Sequence, residues 1–186
     1  KSDRANPKKA HRPIASGALP VNMAIVGAVI LVAIGCVLSW LLGPACQVVV
    51  VLYLAINLAY SLWLKHAVLA DVMLIALGFV LRVLAGAYAV HAEPTARIML
   101  CIFFLAMLLG TAKRRAELVA LGERAAAHRP VLGKYTVAYV DALMGVMAVM
   151  TIDSYVEYAV GGANRFPTLV ITIPPVVYGI ARFLLL

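Results

Sequence analysis

The chain is 186 residues long, 65% hydrophobic and only 13% charged, with a formal net charge of +8 and a mean hydropathy of +1.00. A soluble domain holds roughly 45–50% apolar and about 25% charged residues, and one of this size could not hide so much apolar surface. A soluble fold is excluded; an all-α polytopic transmembrane bundle is expected, and the basic balance belongs to membrane-flanking loops rather than to nucleic acid.

The first twenty residues, KSDRANPKKAHRPIASGALP, carry Lys1, Arg4, Lys8, Lys9 and Arg12 against Asp3. Pro7, Pro13 and Pro20 stiffen them by fixing φ and extending the preceding residue. Lys9 and Arg12 could hold an anion, Lys as a point charge and Arg as a bidentate donor. From spacing alone a plain cytoplasmic anchor touching anionic lipid is favoured.

Six apolar stretches follow, each near the roughly 20 residues a span needs: Val21–Leu42, Ala45–Leu64, Ala67–Val90, Arg97–Ala112, Tyr135–Tyr158 and Thr168–Leu186. In lipid the backbone must satisfy itself, so each is expected to be helical. One set of connections, residues 1–20, 65–66 and 113–134, carries twelve of the sixteen Lys and Arg; the other set carries Arg97 and Arg165. That bias predicts that the first set, with the loops 1–20 and 113–134, is cytoplasmic. Asp3, Lys65, Asp71, Lys113, Arg114 and Glu117 then share one membrane face, where any chemistry is expected.

Three charged positions invite two readings each. Asp71, in the first turn of the third span, either favours the positive end of its own helix or faces a metal–phosphate or a lysine. Arg82 lies eleven residues further, about 16 Å along the axis, too far for a salt bridge with Asp71. A charge that deep needs either a partner, Asp141 or Asp153, or a cavity accepting an anionic substrate. Within Lys113-Arg114-Arg115-Ala116-Glu117 the i, i+4 and i, i+3 spacings make either a surface ion pair or a site for a metal-chelated polyphosphate. Cys36, Cys46 and Cys101 have no ligand spacing and read as small buried hydrophobes. Ala106 and Gly110 allow close helix packing. No phosphate loop, nucleophile elbow, zinc spacing or dinucleotide fingerprint is present.

Taken in order, Asp3-Arg4, Asn6-Pro7, Lys9, Arg12-Pro13, Ile14-Ala15 and Gly17, then Tyr60-Ser61, Leu64-Lys65, Asp71-Val72, Gly78-Phe79, Leu81-Arg82, Lys113-Arg114 and Glu117-Leu118 resemble the UbiA superfamily of intramembrane prenyltransferases. More narrowly they resemble its decaprenyl-phosphate phosphoribosyltransferase branch. The resemblance implies nine helices around a central cavity, of which residues 1–186 would form spans three to eight. The chain, which lacks an initiating Met and stops within the apolar run ARFLLL, reads as one transmembrane domain internal to a longer protein. Asp3 would be the last member of an acidic motif otherwise upstream, without which the segment alone would be inactive.

The implied reaction is transfer of 5-phosphoribosyl from phosphoribosyl pyrophosphate to polyprenyl phosphate, with Mg2+, at the cytoplasmic face of the plasma membrane. Asp3 and Asp71 would be catalytic, Asp3 and Glu117 metal ligands, and Lys9, Arg12, Lys65, Arg82, Lys113 and Arg114 phosphate-binding. The branch's products serve cell-wall biosynthesis. Most of the superfamily carries a second carboxylate cluster where this chain has Lys113-Arg114-Arg115, which favours direct phosphate contact over prenylation of an aromatic acceptor, the alternative activity. A transporter or inert bundle is the third reading. The expected partners are the two substrates and the bilayer, with homo-oligomer formation left open.

Overall fold

In the computed structural model, residues 13–62, 69–121, 135–162 and 167–185 are described. A single helical turn, α1 (Pro13–Ser16), precedes α2 (Val21–Leu41), α3 (Pro44–Leu62), α4 (Ala70–Ala89), α5 (Ala96–Leu121) and α6 (Val137–Gly161). A 3-10 helix (Pro167–Thr172) then leads into α7 (Ile173–Leu185). Six helical segments are long and apolar enough to cross a membrane, the last formed by the 3-10 helix and α7 together. The protein is a multi-pass membrane bundle, as its composition requires.

The helices pack in sequence, each against the next, with the largest interface between α5 and α6. The α2–α3 connection is cut to two residues because Gly43 adopts φ +117°, a region open to glycine, and Pro44 supplies a preset first helical residue. At the α4–α5 contact Ala106 is buried beside Val72 and Ala76. A Cβ on Gly110 would stand 2.5 Å from Val72 Cγ1, so the small residues are what lets these two helices approach. A second cluster joins Leu108 and Leu118 of α5 to Met144 and Ala148 of α6 and Ile180 of α7. Cys46 and Cys101 are buried free thiols and Cys36 is partly so.

Two spans differ from expectation. The fourth continues nine residues past Ala112, to Leu121, so Lys113, Arg114 and Glu117 ride on a helix rather than in a loop. Nothing in KRRAELVAL breaks a helix, and the Arg114–Glu117 pair supports it at i, i+3. The sixth is a 3-10 turn followed by a short α-helix. Pro174 and Pro175 lack amide protons and fit only the first turn, where no intrahelical partner is needed, and so α7 starts there. Exposed ion pairs tie both ends of the antiparallel α5–α6 pair, Arg115 to Asp141 at 2.5 Å and Arg97 to Glu157 at 3.8 Å.

Candidate functional site

Most buried polar groups in the bundle are explained locally. The hydroxyls of Ser39, Thr111, Thr151 and Ser154 all donate to carbonyls three or four residues back on their own helices, a self-satisfying arrangement. Among the described residues two buried charges remain, Asp71 at 0% and Arg114 at 4% exposure.

They meet across the α4–α5 interface. Asp71 stands in the first turn of α4, and its Oδ2 accepts from Arg114 Nε at 2.9 Å. Arg114 Nη1 donates to Glu117 Oε2 at 2.7 Å. One guanidinium thus serves two carboxylates, and the three groups together carry a formal charge of −1. Breaking such a buried pair leaves an uncompensated charge, which is far costlier than losing a surface pair.

Tyr135, just before α6, completes the arrangement. Its hydroxyl accepts from the Leu69 amide at 2.6 Å and donates to Asp71 Oδ1 at 3.4 Å. Leu69 takes a φ of +66°, a left-handed conformation a branched residue rarely adopts, and its carbonyl accepts from the Val72 and Met73 amides. Burial, the largest cause, and the nearby Asp71 carboxylate push the Tyr135 phenol above its ordinary value. Lys113 is exposed on the same helix end, next to the Arg115–Asp141 pair.

The sequence-expected site residues divide accordingly. Asp71, Arg114 and Glu117 are in direct contact, and Lys113 is the exposed residue just before Arg114 on the same helix. Asp3, Lys9, Arg12 and Lys65 fall outside the described residues. Arg82 is elsewhere, three turns along α4, and its partner is neither Asp141 nor Asp153. Its Nε and Nη2 donate to the Tyr53 hydroxyl at 3.1 and 2.6 Å, and its guanidinium lies 5.2 Å from the centroids of both the Tyr53 and Phe79 rings. Tyr135 and Tyr53 went unremarked in the sequence, where a tyrosine in an apolar run carries no signal of what its hydroxyl will meet.

Among the described residues no three His, Cys, Asp or Glu side chains are grouped to hold a metal. A magnesium ion, however, takes one or two carboxylates and fills its remaining positions with phosphate oxygens and water. Glu117, with its side chain 31% exposed, fits that role; Asp71, enclosed and bonded to Arg114, does not.

Residues 1–186 match the UbiA prenyltransferase family. The chain is 35% identical over 156 residues to a decaprenyl-phosphate phosphoribosyltransferase of Corynebacterium glutamicum, covering 83% of this chain and 47% of that protein. It is 32% identical over 154 residues to the protein of that name in Mycolicibacterium smegmatis, covering 83% and 48%. With its namesake in Mycobacterium tuberculosis the identity is 31% over 154 residues, covering 83% and 51%. The chain therefore spans about half the length of the curated relatives it matches.

Proposed function

The chain belongs to the UbiA prenyltransferase family, and from that premise we propose that the intact protein transfers a 5-phosphoribosyl group from phosphoribosyl pyrophosphate to a polyprenyl phosphate. The reaction would run at the cytoplasmic face of the plasma membrane, where the positive-inside bias puts Lys113 and its neighbours. The observation that carries the reading is the end of α5. Exposed Lys113 stands beside an Arg114 held in place by Asp71 and Glu117, where carboxylates alone would suit a purely metal-borne diphosphate.

In this transfer the bond from ribose C1 to pyrophosphate breaks and a bond from C1 to a lipid phosphate oxygen forms. Pyrophosphate leaves with its electron pair, and the phosphate, already anionic, needs no strong base. Positive charge develops on the ribose and negative charge on the leaving group. Lys113, with Lys9, Arg12 and Lys65, would neutralise the pyrophosphate, the kind of preorganised electrostatic stabilisation that dominates many enzymes. Asp71 would act through Arg114, keeping that guanidinium and the α5 terminus fixed while charge moves nearby. Glu117 and Asp3 would hold Mg2+, which when bound supplies further charge neutralisation on the leaving group.

The test is an assay of the intact protein in lipid nanodiscs with phosphoribosyl pyrophosphate, polyprenyl phosphate and Mg2+. Pyrophosphate release that requires all three is the expected result. Absence of turnover with that pair, together with turnover of 4-hydroxybenzoate and a prenyl diphosphate, would replace the reading by aromatic prenylation. Full activity in both Lys9→Ala and Lys113→Ala would overturn the residue assignment.

A further inference from the structure

Arg82 has no carboxylate partner among the described residues, although it lies well inside a membrane-spanning helix. Asp71, paired with Arg114, marks one end of the bundle, and Arg82 stands about 16 Å further along α4. It is exposed rather than packed away. A guanidinium facing lipid tails is strongly disfavoured, so this face of α4 must look onto a polar space or a ligand.

The facing helix is built to match. Tyr53, Asn57 and Tyr60 on α3 are spaced i, i+4 and i+7, one stripe of a helix, and line a cavity of about 110 Å³ with Arg82, Ile75 and Phe79. The hydrogen bonds leave donors in excess. The Tyr53 oxygen accepts twice from Arg82, which leaves its own proton to give. One Asn57 amide proton goes to the Tyr53 carbonyl at 2.7 Å, and the other meets no acceptor among the described residues. Among the described residues the protons of Arg82 Nη1 are also free. The residues lining the cavity include no acid. A small, singly positive space whose free donors outnumber its free acceptors, Asn57 Oδ1 and the Tyr60 oxygen, fits an anion with several acceptor oxygens. Its volume is well below the ~300 Å³ or more of a pocket for a whole small molecule, which matches one phosphate group and not a complete phosphosugar.

We propose that the α3–α4 cavity formed by Tyr53, Asn57, Tyr60 and Arg82 binds a phosphomonoester group at mid-span depth, on the open face of this helix pair. The depth and the apolar flanks favour the phosphate of the membrane-borne acceptor; the 5-phosphate of the sugar donor is the other source of the same chemistry. Only the identity of these two ligands rests on the transferase reading, while the anion site rests on the geometry.

The experiment is equilibrium binding to the intact protein in nanodiscs, without turnover. Decaprenyl phosphate is compared with decaprenol, and phosphoribosyl pyrophosphate is titrated separately. The wild-type protein should prefer the phosphate over the alcohol by about tenfold or more, the scale of hydrogen bonds to a charged group. Arg82→Gln should bring that preference to within about twofold, Tyr53→Phe should reduce it partly, and Arg82→Lys should restore part of it. An unchanged lipid preference with weakened binding of the sugar donor assigns the site to the 5-phosphate and sustains it. Unchanged binding of both ligands in Tyr53→Phe and in whichever Arg82 variant folds overturns it. Arg82-dependent lipid binding in a protein that fails to consume phosphoribosyl pyrophosphate would sink the reaction and leave the site standing.

Discussion

Arg114 Nε lies 2.9 Å from Asp71 Oδ2, joining two side chains that are 4% and 0% exposed and 43 positions apart. Either one alone would be a stranded charge. Asp71→Asn and Arg114→Gln should each cost about 3–5 kcal/mol, read as a fall in Tm of the solubilised protein. The double variant should lose less than the sum of the two. Strict additivity would mean that the contact contributes nothing of its own.

Gly110→Ala tests the close approach of α4 and α5. The added methyl would meet Val72 Cγ1 at 2.5 Å, and overpacking of this kind costs about 1–3 kcal/mol. Because Val72 directly follows Asp71 in the first turn of α4, the strain should also disturb the Asp71–Arg114 contact. Val72→Ala in the same chain should recover most of the lost Tm; no recovery would place the strain elsewhere.

Tyr135→Phe removes the acceptor of the Leu69 amide in a left-handed turn and should cost about 1–3 kcal/mol at neutral pH. The phenol's folded pKa is raised by burial, so below about pH 10 both folded and unfolded chains keep the proton. Above that the unfolded chain loses it first, binds fewer protons, and folding stability falls as pH rises through the raised value. Wild type and Tyr135→Phe should therefore converge in stability at alkaline pH. A gap that stays constant to pH 11 would exclude burial of the hydroxyl.

Lys113 and Arg115 are neighbours with opposite expectations. Arg115 and Asp141 form an exposed pair, at 43% and 45%, and Arg115→Ala should change stability by less than about 1 kcal/mol. Lys113→Ala should leave Tm unaltered and raise KM for phosphoribosyl pyrophosphate in the intact protein. Equal KM values in the two variants would remove Lys113 from the phosphate site.

The spans were legible because lipid leaves the backbone one solution, and hydropathy finds wherever that solution is forced. Their ends were not. Hydropathy marks where the membrane stops, while α5 stops only where its helix does, nine residues beyond Ala112. The Arg114–Glu117 contact was open to reading from its i, i+3 spacing. Asp71–Arg114 was not, since nothing local to either residue specifies which face α4 turns to α5; that depends on Gly110 and Val72. Arg82 was recognised as anomalous from its depth, with an acidic partner and a cavity both open, and the partner it meets is a phenol. A pattern of charges cannot reveal a tyrosine acting as acceptor.

The ion pairs at the two ends of α5 and α6 also act as a ruler. Arg97 and Arg115 are eighteen residues apart on α5, about 27 Å at the helical rise, and Asp141 and Glu157 about 24 Å apart on α6. Charged pairs of this kind belong in the headgroup zone, so the hydrocarbon layer between them can be little thicker than those lengths, at or just under the ~30 Å of an ordinary bilayer. Longer acyl chains would make the membrane thin around these helices or the helices stand more upright in it. Lipid thickness thereby becomes a setting for the protein's stability, independent of anything bound at its polar end.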